Sequence, residues 1–148
     1  MGARAGAGVR RRPRFHLRRG ELRRRLASLV AFTPNDPLLQ PGFEEAETSV
    51  AGAVALYGYY GATASNATTD APPCLVVHGD QDTLVVVDDA RRFVEQLRAT
   101  SSSPVVYAEV PGAQHGFDFF RSRRFDSVVD AIEAFAAHIR GSVASRTR

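Results

Sequence analysis

Two loops carry side chains able to do proton-transfer chemistry. One reads HGDQDTLV, residues 78–85, and the other PGAQHGF, residues 111–117. His115 brings an imidazole, which titrates near neutral pH and so works as a general base. A carboxylate beside such a ring fixes its tautomer and stabilises the imidazolium formed when the base takes a proton. Asp82 is the candidate partner, 33 residues before His115. Its rivals are Asp80, which follows a strand directly and suits holding a turn through its own backbone, and Asp88 and Asp89, which suit capping a helix. Metal binding is disfavoured, because His16, His78 and His138 show no ligand spacing with His115. Phe117, Phe119 and Phe120 suit packing beneath the His115 loop better than lining an acyl pocket.

These loops need a scaffold that brings them to one edge. CLVVHGD (74–80) is a short apolar run bounded by Pro73 and Gly79, the pattern of a strand covered on both faces. VVYAEV (105–110) is a second strand, stopped by Pro111 and Gly112, and AVALYGYYG (53–61) is a third, closed by glycine. Between the first two lies a helix, with Ala90, Phe93, Val94 and Leu97 on one stripe and Asp88 or Asp89 as its cap. A last helix carries Phe125, Val128, Val129, Ile132, Phe135, Ala136 and Ile139, with Gly141 as its terminator. LASLVAF (26–32) reads as the end of a helix, and TPNDPLLQPGFEEAETS as loop. Strands alternating with helices imply right-handed crossovers and a parallel sheet, with the loops at the strands' carboxyl ends carrying the chemistry. The fold class is therefore α/β.

Composition sets the outer limits. The chain has 148 residues, 44% of them hydrophobic, enough for one modest core, and no run approaches the roughly 18 apolar residues of a membrane span. Its single cysteine, Cys74, excludes an internal disulfide and sits in an apolar run, as a buried structural thiol would. Charge is unevenly spread. Residues 1–25 hold ten arginines against Glu21, and residues 26–148 hold nine arginines against fifteen acids, a basic head on an acidic body. The head could serve as an arm on nucleic acid or an acidic surface, but only Phe15 and His16 are interleaved with its arginines. It has neither the apolar stretch of an export signal nor the serines of a transit peptide. The expectation is that 1–25 is disordered or foreign to a domain of residues 26–148, and that the location is cytoplasmic.

PPCLVVHGDQDTLVVVDDARRFVEQL followed by VVYAEVPGAQHGFDFF resembles the C-terminal third of an α/β-hydrolase. The resemblance is to the esterases and lipases related to hormone-sensitive lipase and to acetyl-xylan and feruloyl esterases. It spans about residues 72–140, with a fainter likeness through LASLVAFTPNDPLLQPGF and VALYGYYG. It implies a carboxylic-ester hydrolase acting on a small-molecule ester without cofactor or metal. Asp82 would be the acid of a Ser-Asp-His triad and His115 its base, and His78 matches the strand-end histidine of the HG turn.

The nucleophile of that pattern is missing. No G-x-S-x-G occurs, nor the glycine-rich loop of the oxyanion hole, and RRGELRRR stands where the elbow belongs. Ser28 and Ser49 lack the small neighbours of a strained elbow. The 62–73 connection is also shorter than the cap-like insertion found there in relatives. A truncated chain with little or no hydrolytic activity is expected, and a shifted reading frame upstream of Leu26 would account for both the arginines and the lost serine. The alternatives are an arginine-rich binding module and a non-catalytic fragment.

Overall fold

The computed structural model describes residues 26–60 and 67–146, so the Arg-rich head and residues 61–66 of the short connection lie outside the described residues. The elements are α1 (Leu26–Phe32), β1 (Ala53–Leu56), β2 (Cys74–Gly79), α2 (Val87–Thr100), β3 (Val105–Val110) and α3 (Arg123–Arg146). The three strands form one sheet in the order β1-β2-β3, and both pairings are parallel. Register is set by Ala53 opposite Cys74 and by Cys74 opposite Val105, which leaves Gly79 beside Val110 at the carboxyl edge.

β2 is central, and all six of its residues are buried. A strand with helices on both faces has no wet side, and its unbroken apolar run follows from that. Its side chains alternate between two cores. Cys74 and Val76 join Phe32 of α1, Tyr60, and the Ala90, Phe93, Val94 and Leu97 stripe of α2. Leu75 and Val77 meet Val128, Phe135 and Ile139 of α3 on the other face. The result is a three-layer α/β architecture, as the alternation of elements predicts.

Three local expectations need correction. The first strand ends at Leu56 instead of continuing to 61, because Tyr57 turns into the left-handed region at φ 37° and breaks the extended run. Asp88 and Asp89 do not cap α2. The capping position is Val86, which makes no side-chain cap bond, while the two aspartates sit in the first turn and pair with Arg91 and Arg92. There they still complement the positive end of the helix dipole. Gly141 does not end α3, which runs on to Arg146. A lone exposed glycine costs a helix only about 1 kcal/mol, and no αL turn follows to stop it.

Candidate active site

Asp82 follows β2 by three residues, in a turn where its backbone N–H donates to the Gly79 carbonyl at 3.3 Å. Its Oδ1 accepts the backbone N–H groups of Leu84 and Val85, each at 2.9 Å. The other oxygen, Oδ2, lies 2.8 Å from Nδ1 of His115. The carboxylate is fully buried, while 18% of the His115 side chain stays accessible. Burial alone would raise the Asp82 pKa. The N–H groups of Val85 and Leu84 and the His115 ring outweigh burial, and the carboxyl is held below its ordinary range. A carboxylate can only accept here, so Nδ1 of His115 carries a hydrogen, and in the neutral ring Nε2 is the acceptor.

Further hydrogen bonds clamp the loops together. Asp80 Oδ1 accepts the Gly112 N–H at 2.7 Å, and the Gln81 N–H donates to the Ala113 carbonyl at 3.0 Å. Asp80 thus acts through its carboxylate across to the second loop, instead of holding its own turn. The close approach also dictates Gly79, since a Cβ there would collide with the Ala113 carbonyl. Asp88 and Asp89 stay with α2.

His78 is fully buried beneath the pair. Its Nε2 lies 2.8 Å from the Val85 carbonyl and 3.3 Å from Asp82 Oδ2. Both neighbours are acceptors, so Nε2 carries the hydrogen and Nδ1 accepts from the Tyr60 hydroxyl at 3.2 Å. That hydroxyl oxygen in turn takes the Gly58 N–H at 3.2 Å. His78 therefore belongs to the support of the Asp82 turn.

Tyr57 was not legible as a site residue. It stands directly after β1, and its ring meets His115 edge-on, with centroids 4.6 Å apart and planes at 63°. It also packs against Phe117 at 5.3 Å, and its hydroxyl donates to Asp118 Oδ1 at 2.7 Å. The signal for it was an aromatic at the carboxyl end of a parallel strand, where such folds place their chemistry. Of the three phenylalanines, Phe117 packs under the loop, and Phe119, though 74% exposed, lays its ring against Gly116 of that loop. Phe120 is 83% exposed, which corrects the packing expectation for that residue.

Ser28 is buried within α1 and Ser49 lies in the 33–52 loop, so neither sits on a strand-to-helix elbow. Cys74 is buried in the core, and burial pushes its thiol up to about 12. His138 is exposed on α3, and His16 lies outside the described residues. No helix among the described residues is long and apolar enough to cross a membrane.

Residues 40–142 match the prolyl oligopeptidase family. The chain belongs to that family. The chain is 40% identical over 149 residues to the probable carboxylic ester hydrolase LipM of Mycobacterium tuberculosis, a match covering 77% of this chain and 35% of LipM. Esterase LipQ of the same organism is 33% identical over 150 residues, covering 78% of this chain and 36% of LipQ. The chain thus spans about a third of the length of these relatives. An alignment of 149 positions that takes in 77% of 148 residues also leaves a stretch of LipM with no counterpart here. Among solved structures, the butyrate-bound esterase Est2 of Thermogutta terrifontis superposes with a TM-score of 0.58 at 15% identity, over 74% of this chain and 51% of that one. That likeness establishes the α/β-hydrolase fold for this member of the prolyl oligopeptidase family.

Proposed function

We propose that this chain is the acid–base portion of a serine carboxylic-ester hydrolase, with His115 as general base and Asp82 as the residue that orients it. The observation that carries the reading is the 2.8 Å contact between buried Asp82 Oδ2 and the part-exposed His115 Nδ1. In the complete reaction a serine Oγ attacks the ester carbonyl while Nε2 of His115 takes the hydroxyl proton. The imidazolium, stabilised by Asp82, then returns that proton to the departing alcohol. Water repeats the sequence on the acyl-enzyme and releases the acid. The names of LipM, LipQ and Est2 support an ester as substrate.

The serine and the oxyanion loop have no counterpart in this sequence, so we assign them to a preceding portion of a complete hydrolase. Residues 26–148 are the partial domain in this reading, and 1–25 stand outside it. We place the LipM stretch that has no counterpart here at the short 62–73 connection.

Joining residues 26–148 to the N-terminal part of LipM supplies the test. The chimera is expected to hydrolyse short-chain p-nitrophenyl esters and to lose a thousandfold or more in turnover, on the order of known triad losses, with His115→Ala. The 148-residue chain alone is expected to show little or no hydrolysis. Full activity in the His115→Ala chimera would remove that residue from the role. Turnover of peptide p-nitroanilides in place of esters would move the activity to peptidase chemistry.

A further inference from the structure

We infer that Tyr57 is a positioning residue for His115, its ring setting the plane of the imidazole and Asp118 anchoring its hydroxyl. The inference rests on the reading of His115 as base.

One hydrogen bond, donated by Nδ1–H to Asp82, holds the imidazole at a single atom and leaves the ring free to swing about that contact. A base must keep Nε2 aimed at the nucleophile, because small errors in geometry cost rate steeply. The Tyr57 ring closes off the swing by meeting the imidazole edge-on, with centroids at 4.6 Å.

The backbone marks this arrangement as held in place by its surroundings. Tyr57 has φ 37°, in the left-handed region that favours glycine and that a bulky residue occupies only when its neighbours enforce it. Three contacts enforce it here. The Tyr57 N–H donates to the Val77 carbonyl at 2.8 Å, the hydroxyl donates to Asp118 Oδ1 at 2.7 Å, and Phe117 packs against the ring. The hydroxyl contact joins the end of β1 to the His115 loop across 61 residues of sequence. Burial, reinforced by the Asp118 carboxylate, pushes the phenol up to about 12, so the donor hydrogen is retained through neutral pH.

The test needs no nucleophile. On the full 148-residue chain, nuclear magnetic resonance of the imidazoles reads the solvent-exchange rate of the His115 Nδ1–H and the shifts of its ring protons, while urea unfolding reads stability. Tyr57→Phe and Asp118→Ala are each expected to speed Nδ1–H exchange by about fivefold to tenfold, the scale of one net hydrogen bond. Asp118→Asn, which keeps an acceptor for the hydroxyl, is expected to restore near-native exchange. Tyr57→Ala should in addition move the His115 ring-proton shifts through loss of the neighbouring ring current. Unchanged exchange and ring shifts in Tyr57→Phe and Asp118→Ala, with or without a lower urea midpoint, would overturn the inference and leave Tyr57 a packing residue. Asp82→Ala, which removes the acceptor, separates the two ideas: if the Nδ1–H signal persists unaltered there, the base–acid reading itself falls.

Discussion

The two oxygens of Asp82 have separate tasks, and this division decides how the site responds to acid. Oδ1 is held by the N–H groups of Leu84 and Val85, and Oδ2 faces His115. The folded carboxyl titrates below its unfolded counterpart, near 3.8, so between the two values the unfolded chain binds more protons. The stabilisation is therefore present above that pH and is lost as pH falls through the folded value. Glu109, held low by Arg91, works in the same direction. Urea midpoints are expected to fall steeply below about pH 4 and to fall less steeply in Asp82→Asn. Equal slopes would show that Asp82 is not held as described. Tyr57 illustrates the opposite side of residue-scale energetics, since its left-handed backbone costs about 1–3 kcal/mol that the surrounding contacts must offset.

At the scale of elements, β2 carries the site. Its carboxyl end ends in Gly79, and the chain there passes so close to Ala113 that no side chain fits. That proximity lets the Gln81 N–H reach the Ala113 carbonyl and the Asp80 carboxylate reach the Gly112 N–H. Gly79→Ala is expected to destabilise the chain by about 1–3 kcal/mol, the range for overpacking a tight contact. It should also weaken the Asp82–His115 contact, because the two loops must part to admit the methyl group. Urea unfolding and the His115 Nδ1–H signal read these two effects, and a wild-type result in both would mean that the loops can separate freely. Further from the edge, the Ala90, Phe93, Val94 and Leu97 stripe seats α2 on the sheet face behind the Asp82 turn.

For the molecule as a whole, the sheet has two open edges among the described residues. β2 is bonded on both sides, whereas β1 and β3 each pair only with β2. The Ala53 and Tyr57 N–H groups point to β2, as their bonds to Pro73 and Val77 show, so those of Val54 and Leu56 point the other way. Hydrogen exchange is expected to be about tenfold or more faster at Val54 and Leu56 than at Ala55 and the β2 amides, since exchange tracks hydrogen bonding and burial. Slow exchange at Val54 and Leu56 would mean that another strand, from this chain or a second copy, covers that edge.

The sequence by itself determined the strands and helices, because an apolar run or a 3.6-residue stripe is a local pattern that burial enforces wherever the element lies. CLVVHG, VVYAEV and the α2 stripe were legible for that reason. It also marked Asp82 and His115, since both sit in loops directly after parallel strands. Strand ends and caps were less legible. Tyr57 broke β1 early, and Val86 took the capping position that Asp88 and Asp89 were expected to fill. Only the tertiary structure decided what surrounds the pair: His78 beneath Asp82, Asp80 clamped to Gly112, and the Tyr57 ring against His115. The sheet order brings together residues that are 33 and 61 positions apart, and no local periodicity records which side chains meet at such separations.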